Sequence, residues 1–157
     1  RARRLHARSP RASPPSHSLM RAGLAFVRAT IASPTAMHAM YRSQVTRAIK
    51  YIEPIGSDID VIELETGQVP ADLGVINRAG LKDPWGRPYQ YLSFAAYGPG
   101  WKGKARKDHS LVPLNTRYDL YSLGKDGASS GPLTAKASQD DIVRANDGGF
   151  VGLGSDY

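Results

Sequence analysis

From Thr35 onward, Met37, Met40, Tyr41, Val45, Ala48 and Ile49 recur at steps of three and four residues. That spacing places apolar side chains on one face of an α-helix. Pro54 and Gly56 are expected to interrupt the helix. Ser57 is then placed to cap a second, short segment, with Ile59, Ile62 and Val61 on its apolar side and Asp58 and Asp60 in its first turn. Gly67 is a natural stop. Pro70 suits the first turn of a further short helix ending at Ile76.

Beyond Gly80 the pattern changes to strands and loops. Asp83-Pro84-Trp85-Gly86 has proline second and glycine fourth, the signature of a type I turn. Residues 89–94 are aromatic-rich and free of glycine and proline, and predict a strand. Residues 95–116 form a long connection with Gly98, Pro99, Gly100 and Gly103 and the basic residues Lys102, Lys104, Arg106 and Lys107. Residues 117–123 predict a second strand. From Gly124 the chain is rich in Gly, Ser and Asp almost to Tyr157, too poor in apolar side chains to close by itself. No internal repeat is visible. A helix followed by an antiparallel sheet is an α+β arrangement.

Charge divides the chain more sharply than hydropathy does. The chain's net +7 comes entirely from residues 1–50, which carry ten basic residues and no acid, a net of +10. Residues 51–157 hold eleven basic residues against all fourteen acids, a net of −3. Residues 1–34 are rich in Arg, Ser, Pro and Ala, and are expected to be an unfolded leader ahead of a domain at 35–157. An Arg-rich, Ser-rich, acid-free stretch also has the character of an organellar transit peptide. No span of about 20 apolar residues is present; the best stretch, 22–27, is closed by Arg21 and Arg28. With no cysteine, the chain has neither disulfides nor thiolate metal sites.

Two strings carry a specific resemblance. Asp83-Pro84-Trp85-Gly86-Arg87-Pro88-Tyr89-Gln90-Tyr91-Leu92 resembles the "DPWGNPYQYL" segment of type II secretion major pseudopilins, members of the pilin superfamily. Tyr118-Asp119-Leu120-Tyr121-Ser122-Leu123-Gly124-Lys125-Asp126-Gly127 resembles their "FDIYSLGADG" segment. Asp140-Asp141-Ile142 is similar to the "DDI" element that ends the family's calcium loop. Residues 41–47 are similar to the stretch after the pilin membrane helix, and residues 67–73 to the "G-x-x-P-x-x-L" ahead of the sheet. The likeness spans roughly 41–142, and its force lies in the motifs occurring together and in order.

The resemblance implies an N-terminal α-helix packed on a small antiparallel sheet, with a long C-terminal calcium-binding loop. It implies that Asp126 and Asp140 supply carboxylates and Leu123 a main-chain oxygen, with Asp141 and Ser138 as further candidate ligands for Ca²⁺. It implies no catalytic residue. The chain would polymerise with itself and with other pseudopilins, engage inner-membrane components of the secretion machinery, and work in the periplasm of a Gram-negative bacterium. Membrane attachment is expected only where an apolar N-terminal helix lies upstream. The family's Gly-Phe processing site and early glutamate are not found ahead of Tyr41, and no acid precedes Glu53. Residues 52–67 look short against the family's long helix.

Other chemistry receives less support. Residues 98–105 nearly spell a phosphate-binding G-x-x-x-x-G-K-[ST] loop, but Ala105 stands where the Mg²⁺-binding hydroxyl belongs. Asp108-His109-Ser110 contains triad residue types, yet triads are spatial arrangements rather than sequence neighbours. His6, His17, His38 and His109 lack metal-ligand spacing. Glu63 and Glu65 lie on different sides of a helix. The basic group Lys102, Lys104, Arg106 and Lys107 is read as a contact for acidic residues of a neighbouring subunit; no nucleic acid is expected. The alternatives are a type IV pilin-like subunit, or an α+β binding module whose basic arm engages nucleic acid or anionic membrane.

Overall fold

In the computed structural model, residues 33–109 and 112–157 are described. The expected leader therefore lies outside the described residues, except for its last two positions, and Ser110 of the Asp-His-Ser string lies outside them too.

A single 33-residue helix, α1 (Pro34–Thr66), replaces the two segments expected from the sequence. Ser33 caps it, its Oγ accepting from Ala36 N at 3.2 Å, and Pro34 occupies the first turn. Gly67 ends it in the left-handed region, its N–H donating to Glu63 O. The break expected at Pro54 does not occur. Pro54 is exposed on the outer side, while Ile52, Ile55 and Ile59 are fully buried on the inner side. Burying three isoleucines contributes about 1.5–3 kcal/mol each, which outweighs the ~3 kcal/mol cost of one internal proline. Gly56 faces the sheet, where a Cβ would stand 3.3 Å from Arg144 Nε. Ser57 caps nothing; its Oγ donates back to Glu53 O at 3.2 Å.

The helix expected from Pro70 to Ile76 is a series of turns. Asp72 draws the Gly74 N–H to its carboxylate at 2.7 Å, and the N–H of Arg78 bonds Leu73 O at 2.8 Å. Such side-chain competition for backbone N–H groups favours a turn over a helix here. The type I turn is present, with Gly86 N donating to Asp83 O at 2.9 Å.

Next come β1 (Gln90–Ser93), the one-turn α2 (Phe94–Tyr97), the short ribbon of β2 (Lys107–Asp108) and β3 (Val112–Pro113), and β4 (Tyr118–Ser122). The chain closes with β5 (Ile142–Ala145) and β6 (Phe150–Leu153). The main sheet is antiparallel in the order β1-β4-β5-β6, with Gln90 opposite Tyr121, Ser122 opposite Ile142 and Val143 opposite Gly152. Half of that sheet comes from the tail read as loop, which corrects the expectation that the final third lacks apolar closure. Alternation explains it: Ile142 faces α1 with Tyr118 and Leu120, while Val143 and Ala145 join Leu114 and Leu133 on the opposite face.

The architecture is thus an N-terminal helix packed on a small antiparallel sheet, the α+β class expected. Trp85 is half-buried against the helix side of the core, its ring 6.4 Å from that of Tyr41 on α1. No helix among the described residues is long and apolar enough to cross a membrane.

Candidate cation-binding loop

At the end of β4 the chain enters a loop that returns at β5, and its two ends touch. Gly124 adopts φ 62°, and a Cβ there would stand 2.5 Å from the Asp140 carbonyl carbon and 2.8 Å from Asp140 Oδ2. Only glycine fits that approach at that φ. The backbone N–H of Asp126 donates to Asp140 Oδ2 at 2.8 Å, and Asp126 Oδ1 accepts from Ala128 N at 2.8 Å. Gly127 N donates to Leu123 O at 3.1 Å. Leu123, Asp126 and Asp140 therefore gather at one neck. Each carboxylate keeps one oxygen without a hydrogen bond among the described residues, and the Leu123 carbonyl has a second lone pair.

Ser138 and Asp141 turn into the interior instead. Ser138 Oγ donates to Ser130 O at 2.8 Å and accepts from Ser130 N at 2.9 Å, which uses the hydroxyl within the loop. Asp141 is fully buried, ion-paired with Arg106 at 2.6 Å and accepting from Ser129 Oγ at 2.6 Å. Burial pushes its carboxyl upward, against the lowering pull of Ser129 and Arg106. Hard oxygen donors at the neck suit Ca²⁺, but of the five candidate ligands only Leu123, Asp126 and Asp140 are drawn together there. Among the described residues no cluster of three or more His, Cys, Asp or Glu could hold a metal. A calcium ion at the neck would draw on these two carboxylates, with main-chain and water oxygens completing its usual six to eight ligands.

The basic group divides similarly. Lys102 and Lys104 are exposed and Lys107 is half-buried in β2, but Arg106 is only 3% exposed. Its guanidinium lies 4.4 Å from the Tyr121 ring centroid and its backbone N–H donates to Asp119 Oδ2 at 2.6 Å. Arg106 is thus corrected from a partner-facing residue to an interior one. The reason is that it neutralises Asp141 where water does not reach.

Arg87 was missed by the sequence reading. Its Nη1 donates to Gly124 O at 2.9 Å, and a Cβ on Gly127 would stand 2.5 Å from both Nε and Nη2. Asp83 anchors the arrangement: Oδ1 accepts from Arg87 N at 2.9 Å and Oδ2 from Ser122 Oγ at 2.6 Å. Arg87 and Gly124 lie 37 residues apart and Asp83 and Ser122 lie 39 apart, and no local pattern marks either pair.

Comparison with known proteins gives a local likeness. No family profile matches the chain, and no solved structure matches it. The chain is 45% identical over 49 residues to the type II secretion system core protein G of Pseudomonas aeruginosa. The match takes in 31% of this chain and 22% of that protein, so the chain spans about a fifth of the length of the curated relative it resembles.

Proposed function

We propose that this chain is a structural, non-enzymatic subunit of a type II secretion pseudopilus, which supports export of folded proteins across the outer membrane. The observation that carries the reading is the 49-residue likeness to a type II secretion core protein, and the helix-on-sheet fold supports it. In this role the chain polymerises with itself and with other pseudopilins in the periplasm, and engages the inner-membrane components of the machinery. Exposed Lys102 and Lys104 meet acidic side chains of the next subunit. Calcium at the Leu123–Asp126–Asp140 neck holds the loop surface rigid.

The test of assembly is co-expression with the core protein G of a working secretion system, followed by probing sheared surface fibres for this chain. Incorporation into fibres, weakened by reversing charge at Lys102 and Lys104, is expected. A chain that is absent from fibres and sediments as a monomer would overturn the reading. Calcium is tested separately by titration: a rise in Tm is expected, lost on Asp126→Ala. A flat titration removes the ion and leaves the assembly reading to stand on the fibres.

A further inference from the structure

The neck already contains a cation, and it belongs to the chain. Arg87 follows the Asp83–Gly86 turn, just ahead of β1, and sends its guanidinium across to the start of the loop, bonding Gly124 O at 2.9 Å and reaching Lys125 O at 3.5 Å. Gly127 passes so close that any side chain on its Cα would collide with the guanidinium. We infer that Arg87 is a positioning residue that clamps the neck of the 124–140 loop, doing from within the chain part of what a bound calcium ion would do from solution.

Arg87 Nη1 bonds the Gly124 carbonyl and lies within outer reach of the Lys125 carbonyl, so one nitrogen with two N–H groups addresses both successive carbonyls. A guanidinium is always charged and more weakly hydrated than an ammonium, which suits it to a place against the Gly127 backbone. Finally, the Arg87 backbone is itself fixed: its N–H bonds Asp83 Oδ1 at 2.9 Å and its carbonyl accepts from Asp83 N at 2.7 Å. Asp83 in turn holds Ser122 Oγ, which accepts from Gly124 N at 3.1 Å. The result is a closed circuit, Asp83–Ser122–Gly124–Arg87, that ties the β1 turn to the loop entrance. A positive charge beside the neck also opposes a divalent ion there, so Arg87 both secures the closed loop and lowers its calcium affinity.

The inference rests on the calcium reading only for its second half, and one experiment separates the two. Amide hydrogen exchange at Asp126, Gly127 and Ala128 is measured for the full chain, in chelator and in excess calcium, with the β5–β6 amides as a control for global folding. In chelator the wild-type neck amides are expected to be protected. Arg87→Ala is expected to lose about ten- to a hundredfold of that protection, to recover it on adding calcium, and to bind calcium more tightly than wild type. Arg87→Lys should fall between. Arg87→Met, which keeps an unbranched side chain but removes its charge and donors, should reproduce the loss and serves if Arg87→Ala fails the β5–β6 control. Wild-type protection in both Arg87→Ala and Arg87→Met, in chelator, would overturn the clamp. Lost protection that calcium does not restore, with no calcium effect on wild type, would leave the clamp standing and remove the calcium reading alone.

Discussion

Arg106 Nη2 lies 2.6 Å from Asp141 Oδ2, with the two side chains 4% and 0% exposed. The pair sits on the sheet face away from α1, packed on Tyr121 and extended by Ser129. Removing one member strands the other charge in the interior. Asp141→Ala and Arg106→Met are each expected to destabilise by roughly 3–5 kcal/mol, and the double replacement by much less than their sum. Urea unfolding of the four proteins measures the coupling; additive losses would show that the pair contributes nothing jointly.

Asp119 adds a pH dependence to the same region. It is 1% exposed, and burial lifts its pKa above the ordinary 3.8 in spite of the bonds from Arg106 N and Asn115 Nδ2. The folded state therefore holds this proton more tightly than the unfolded state. Its stabilising contribution is complete below 3.8 and disappears as pH rises through the raised value. The stability advantage of wild type over Asp119→Asn should shrink across that window. An advantage that does not change with pH would contradict the assignment.

Gly124→Ala should be among the most damaging small changes in the chain. It places a Cβ against the Asp140 backbone at φ 62°, a loss of more than about 1 kcal/mol from backbone strain before the collision is counted. Thermal unfolding together with neck amide exchange reads the effect, and an unaltered Tm would show that the neck is loose enough to admit a methyl group.

Pro54→Ala should stabilise. The position is exposed and lies inside α1, where proline forfeits a backbone bond and crowds the preceding turn. A gain of up to ~3 kcal/mol is expected, visible as a higher urea midpoint. A loss of stability would mean that Pro54 has a role that its outward-facing position does not reveal.

Several elements were legible because their causes are local. The stripe from Met37 to Ile49 lies within α1, Gly67 ends that helix, and Asp83 to Gly86 forms the turn expected of it. β1 and β4 lie within the strands predicted at 89–94 and 117–123. Phe94 leaves β1 because Ser93 caps α2, accepting from Ala96 N at 3.5 Å. The candidate site was legible only in part. Leu123, Asp126 and Asp140 gather, whereas Ser138 and Asp141 turn inward to partners at Ser130, Ser129 and Arg106.

By itself, the sequence determined the helix face, the turn, two strands and the charge asymmetry, because each depends on residues within a few positions of one another. Tertiary structure decided the rest. Burial of Ile52, Ile55 and Ile59 carried α1 through Pro54. Coverage of both sheet faces made strands of β5 and β6. Contacts such as those from Arg87 to Gly124 and from Arg106 to Asp141 chose which side chains line the loop and which lie beneath it. The physical reason is common to all of these. A side chain's free energy depends on what excludes water from it, and for these residues the excluding partner lies tens of positions away along the chain.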